Sequence, residues 1–406
     1  MGKETPGRTD NRAAEAGSKA TVAVFKQEER KVEYLELIYD LVFVYIVGRN
    51  NAILSHFENG FVSADAFFAY ILCTLAIIQI WNFTTFYINM FGRNGVRDHV
   101  FLLINMYLMY FIGESTRFDW HAYQAQYHIA WALILINIGV QYVIELRNHK
   151  ADVWNRSIIK RMVMTLFVEA AVVLAASTVK PALAPPIAFA AVILGIVMTS
   201  LGKRTGVSGM IDFSHLTERA MLYVVFTFGE MIVVISSYFT GDGSFDWNVI
   251  YFSLMGFLIV VGLFLSYEVI YDKLLDRGKE DNGLIYMLIH IFIIFGLNNI
   301  TASLEFMREE EVAIRPKMIF LVASMVGYFA FLFALGRYAK VRCHINGAFM
   351  QKLWIMTLCF VMLMMVFMNV PRAHILFTVI YVWSVFAVFY RTGKKVAAEE
   401  AAECVD

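Results

Sequence analysis

The chain has 406 residues and a formal net charge of zero; 59% of it is hydrophobic, 15% aromatic and only 17% charged. An ordinary soluble domain carries about 25% charge, so this composition excludes a soluble globule, and the zero net charge offers nucleic acid no basic surface. Cys73, Cys343, Cys359 and Cys404 lack metal-ligand spacing, and no Walker or Gly-rich phosphate loop is present, so neither a metal, a nucleotide nor another cofactor is expected.

Residues 1–30 are polar, without an apolar stretch ahead of a cleavage site, and read as a disordered cytoplasmic tail. Twelve apolar runs follow, each about the 20 residues that cross a bilayer: 33–55, 64–90, 97–117, 122–146, 157–179, 185–201, 213–239, 246–271, 284–307, 315–337, 349–369 and 372–391. Residues 396–406 form a second tail. The two tails and the even-numbered connections hold 25 Lys and Arg, the odd-numbered connections 7. That asymmetry places both termini in the cytoplasm. Cys343 and Cys404 then face the reducing side, so no disulfide is expected.

The first run carries Glu36 and Asp40 at i and i+4, hence on one helix face. Two like charges sharing a face in low dielectric favour exchange of a proton or binding of a cation. The structural alternative is a permanent pair with Arg30, Lys31 or Arg219. The second and third runs contribute Gln79, Asn82 and Asn105, suited to hydrogen bonds between helices. His99 opens the third run and Glu114 and Arg117 close it, the latter two at a spacing that pairs them as an outer lock. Glu169 lies about 18 Å into the fifth run, near mid-bilayer, where a lone acid must be neutral, paired or hydrated. In the seventh run Glu218-Arg219 reads as an inner-end pair, and Glu230 lies about 20 Å in from Thr217, beyond the midplane. The ninth run repeats the third: His290, then Asn298-Asn299, then Glu305 and Arg308.

His99, Glu114 and Arg117 recur as His290, Glu305 and Arg308 at a constant interval of 191 residues, and Gly202-Lys203-Arg204 recurs as Gly393-Lys394-Lys395. Asp40 and Glu230 stand 190 apart. The interval predicts an all-α polytopic membrane protein of about twelve transmembrane helices in two parallel six-helix repeats, 31–204 and 205–395. Six helices per repeat give both the same topology, related by an axis along the membrane normal.

The stretch Leu35-Glu36-Leu37-Ile38-Tyr39-Asp40-Leu41-Val42-Phe43-Val44 resembles the first-span signature of the low temperature requirement protein A family. The stretch from His215 to Glu230, with its Glu-Arg and Gly-Glu elements, resembles that family's second signature. The likeness runs from about Arg30 to Arg391. It implies a bacterial multi-pass protein of the cell (inner) membrane, associated with growth in the cold, and implies no particular activity. The family usually has aromatic residues at the positions of Ile38 and Tyr39; Ile38 departs from this, and the departure bears on packing around Asp40.

Three functions fit these residues. The first is a secondary transporter coupled to protons or cations, with Asp40 and Glu230 as corresponding coupling acids and Glu36 and Glu169 as further candidates. The second is an ion channel gated by pH or temperature. The third is a lipid-interacting or receptor-like protein whose charges are all structural. No paired catalytic motif supports an enzyme. The expected partners are the lipid bilayer and an ion or small molecule that the sequence does not name; a channel between protomers would further require a homo-oligomer.

Overall fold

Within hydrocarbon a chain must satisfy its own backbone N–H and C=O groups, so apolar runs of this length fold as helices. The computed structural model describes residues 31–116, 120–148, 153–200, 211–236, 247–279, 281–307, 309–343 and 345–403. Among these, twelve α-helices follow one another. The first six are α1 Tyr34–Arg49, α2 Ala64–Phe91, α3 Val96–Ser115, α4 Trp120–Asn148, α5 Val153–Thr178 and α6 Ala184–Ser200. The second six are α7 Phe213–Ser236, α8 Trp247–Val269, α9 Leu284–Phe306, α10 Ile314–Ala334, α11 Gly347–Val366 and α12 Pro371–Glu403.

Each helix coincides with a predicted run, with two differences. α1 stops at Arg49 and passes into a 3₁₀ turn, Asn50–Ser55. α12 continues unbroken to Glu403, so residues 396–403, expected as a tail, are helical. Among the described residues nine helices are long and apolar enough to cross a membrane; α3, α5 and the 17-residue α6 are not among the nine.

Local signals set the helix ends. The Ser63 side chain accepts from Ala66 N at 3.3 Å to start α2, and Asn346 accepts from Phe349 N at 2.9 Å to start α11. Pro185-Pro186 and Pro371 stand in the first turns of α6 and α12, where a missing N–H costs nothing. Between α1 and α2 a hairpin pairs β1 Phe57–Glu58 with β2 Phe61–Val62. It turns on Asn59-Gly60, with φ 53° and 81°, a dipeptide that tolerates this geometry.

α1 packs on α2 and α3, α2 on α4 and α6, α3 on α4, α4 on α5, and α5 on α6. In the second six, α7 packs on α8 and α9, α8 on α12, α9 on α10, α10 on α11, and α11 on α12. The two sets meet through α1–α7, α2–α7 and α2–α9. At one end of that junction Phe61 meets Phe306 and Phe320 edge-on, each at 6.0 Å, and Gly60 O accepts from Ala313 N at 2.7 Å. Deeper in, Tyr70 of α2 donates to Asn299 Oδ1 at 2.7 Å and accepts from Asn298 Nδ2 at 2.8 Å, both on α9.

Candidate functional site

α1 buries Glu36, Tyr39, Asp40, Phe43 and Val47 and turns Ile38, Leu41 and Tyr45 outward. Its two acids, one turn apart, therefore face protein rather than lipid. α7 buries His215 and Arg219 at the same spacing, and the two faces meet. Arg219 Nη2 donates to Asp40 Oδ1, and its Nε stands 3.6 Å from Glu36 Oε2. His215 Nε2 is 3.5 Å from the same Glu36 oxygen. A third helix closes the cluster: Trp81 Nε1 of α2 donates to Asp40 Oδ1 at 2.7 Å, and its ring packs on Tyr223 at 4.5 Å. None of the four ionisable residues is more than 3% exposed.

The far side of His215 is held as firmly. Asn89 of α2 brackets the backbone of Asp212: its Oδ1 accepts from Asp212 N at 3.1 Å, and its Nδ2 donates to Asp212 O at 2.8 Å. That bracket orients the amide, so the Nδ2 that lies 3.1 Å from His215 Nδ1 is a donor and Nδ1 is the acceptor. The imidazole is thus the neutral tautomer with its N–H on Nε2, facing Glu36. Asp212 also caps α7, its Oδ1 accepting from His215 N at 3.0 Å. A proton added at Nδ1 would set two donors against each other at that contact. Asp40 Oδ2 and Arg219 Nη1 are buried without a hydrogen-bond partner among the described residues, the condition in which a buried group takes an ordered water.

The other candidates lie elsewhere. Glu230 is half-buried and faces Gly48, where an added Cβ would come within 2.6 Å of its Oε1. Asp40 with Arg219 and Gly48 with Glu230 progress in the same sense, so α1 and α7 run parallel. Glu230 is therefore level with Gly48, eight residues or about 12 Å beyond Asp40, and the two acids expected at corresponding places do not share a level. Arg219 pairs across to α1, and no ion pair joins it to Glu218 among the described residues, which corrects the expected inner-end pair. Glu169 is fully buried and its Oε2 accepts from Gln79 Nε2 at 3.4 Å. Asn105 bridges helices as expected, donating to Tyr39 OH at 3.3 Å and accepting from Asn137 Nδ2 at 2.8 Å.

Glu114 and Glu305 are the penultimate residues of α3 and α9. Their expected partners Arg117 and Arg308 lie outside the described residues, as do Arg30, Cys404 and Gly202-Lys203-Arg204. The repeated histidines differ in setting: His99 is half-buried with Nε2 2.7 Å from Asn94 Oδ1, whereas His290 is enclosed between Tyr267 OH at 3.0 Å and Tyr286 O at 2.9 Å. Trp81, Asn89 and the role of His215 were not singled out from the sequence. The signal that points to His215 is its i, i+4 spacing from Arg219, which mirrors that of Glu36 and Asp40.

A profile of the bacterial low temperature requirement A protein, LtrA, matches residues 31–388. Neither the curated proteins nor the solved structures compared with the chain match it. The profile takes in both faces of the α1–α7 cluster and the apolar helices around it. The chain is therefore a multi-pass membrane protein in contact with the lipid bilayer, and it belongs to the bacterial low temperature requirement A family.

Proposed function

We propose that the protein is a proton-coupled secondary transporter of an ion or small molecule, in which the α1–α7 junction turns a proton on His215 into movement of α7. The observation that carries this reading is the Asn89 bracket. Asn89 holds the cap of α7 with the same amide that meets His215 Nδ1, so a proton there works against the seating of α7. Asp40–Arg219, sealed from water, is the pivot about which α7 moves, and Glu230 is a second acid further along the same junction.

The same reading takes all twelve helices as spans and the two sixes as repeats. Support comes from the neighbour order, in which α1–α2, α1–α3, α3–α4, α4–α5, α5–α6 and α2–α6 have counterparts in α7–α8, α7–α9, α9–α10, α10–α11, α11–α12 and α8–α12. On the Lys and Arg distribution the cluster faces the cytoplasm of the inner membrane, with both termini on that side. The chemistry is transport, not catalysis.

Hydrogen exchange tests the switch in lipid vesicles. Amides 211–216 should exchange faster on acidification, beyond the intrinsic pH dependence, in wild type but not in His215→Gln. Equal protection of that segment at neutral and acidic pH in wild type would leave the second reading, in which the charges are purely structural. The complete enclosure of Asp40 and Arg219 favours that alternative. For transport itself, vesicles loaded with a pH dye and challenged with panels of cations, amino acids and sugars should show substrate-dependent internal pH change that His215→Gln abolishes.

A further inference from the structure

The first six helices hold a buried polar triad whose acid the second six replace. Glu169 of α5, fully buried, accepts from Gln79 Nε2 of α2 at 3.4 Å, and the same Nε2 donates to Val192 O of α6 at 3.2 Å. Gly195 of α6 leaves the room, since a Cβ there would overlap both the Glu169 carboxyl group and the Gln79 amide. Glu169 Oε1 and Gln79 Oε1 are enclosed without a hydrogen-bond partner among the described residues. A buried polar atom left so is costly, more so in a membrane.

At the 191-residue interval the counterpart of Glu169 is Phe360 of α11. Phe360 is apolar and stacks on Tyr381 with ring planes 9° apart and centroids 4.5 Å apart. Helices in the same neighbour order thus pack without a carboxyl group at this place. Packing alone does not call for the acid.

No base compensates the acid. α6 has no titratable side chain at all. On α2, Cys73 and Tyr87 are six and eight residues from Gln79, about 9 and 12 Å along the helix. On α4, Gly139 backs onto Phe167; from that level Tyr142 lies one turn to one side and His128 eleven residues, about 16 Å, to the other. On α5 itself Arg161 is eight residues away, about 12 Å. None of these forms an ion pair with Glu169 among the described residues.

We infer that Glu169, with Gln79 as its hydrogen-bonding partner, is a proton-binding site confined to the first six helices. One proton adds to the carboxylate to give the carboxylic acid, and leaves when this half opens to water. The comparison with Phe360 rests on the two-repeat reading above; the chemistry of the site does not.

Difference infrared spectroscopy on the full-length protein in lipid vesicles, cycled between acidic and alkaline pH, tests it without a known substrate. Wild type should show a protonated-carboxyl C=O band that is lost at alkaline pH, Glu169→Gln should remove that band, and Gln79→Leu should shift it. Glu169→Asp, which keeps a titrating group, should move the band rather than abolish it and serves if Glu169→Gln fails to fold. A Glu169 band that never changes with pH would make the acid a structural one, and a band displaced by sodium ions at constant pH would make it a metal-cation site; either overturns the proposal. His215→Gln should leave the Glu169 band intact while removing the pH response of residues 211–216, so the two proposals fail separately.

Discussion

A guanidinium sealed between two carboxylates stabilises a fold only while all its partners remain, because each charge alone would be stranded away from water. Arg219 and Asp40 are both fully enclosed. Arg219→Met should therefore destabilise the protein by about 3–5 kcal/mol, read as a loss of melting temperature in detergent. Adding Asp40→Asn should recover part of that loss, since the amide can still accept from Trp81 Nε1; a double variant no better than Arg219→Met would show that the two side chains are not coupled. The acids of this cluster were legible from the sequence, because i, i+4 spacing puts Glu36 and Asp40 on one face. Their partner was not. Reading Arg219 with its neighbour Glu218 overlooked that adjacent residues on a helix do not face each other, so Glu218 and Arg219 point to different surroundings.

Among the elements, apolar length decided nearly everything, because a bilayer leaves helix as the only economical fate for such runs. Apolarity says less about where a helix stops: Lys394-Lys395 and the Ala- and Glu-rich residues after them are good helix formers, so α12 runs on past its expected end to Glu403. Apolarity is also silent on how closely two helices approach, which glycines settle here. At Gly296 of α9 a Cβ would stand 3.1 Å from Tyr328 Cα and 3.3 Å from its backbone N on α10, atoms that cannot yield without moving a helix. At Gly48 of α1 the obstacle is the tip of the Glu230 side chain, which can swing aside. Gly296→Ala should cost about 1–3 kcal/mol, the usual range for overpacking, and Gly48→Ala distinctly less. Melting temperatures that rank the two the other way would mean that α9 and α10 are free to separate and that Glu230 is not.

At the scale of the whole molecule, Glu114 and Glu305, 191 residues apart, are each the penultimate residue of a helix, whereas Asp40 and Glu230, 190 apart, stand at unmatched levels. The reason is register: Asp40 is the seventh residue of α1 and Arg219 the seventh of α7, so the two helices begin level and Arg219, not Glu230, meets Asp40. The junction between the two sixes is consequently held in two ways along its length, by the ion cluster at the start of α1 and α7 and by Tyr70 with Asn298 and Asn299 toward the hairpin. If the halves rock as a transporter's do, loosening one hold should part that end without melting the other. Tyr70→Phe keeps the ring and deletes a hydroxyl that makes two hydrogen bonds, each worth about 0.6 kcal/mol in a membrane and at most about 1.7. That is enough to shift a balance between two arrangements and too little to unfold the chain. Native Cys73, three residues on and on the same side of α2, is fully buried and can report the change. A membrane-impermeant maleimide applied from outside should label Cys73 severalfold faster in Tyr70→Phe than in wild type, with the melting temperature lowered only slightly. In Asp40→Asn, which weakens the opposite end, labelling from outside should not accelerate. Equal labelling rates in Tyr70→Phe and wild type would mean that the halves do not part at this end, and the rocking mechanism would lose its outer opening.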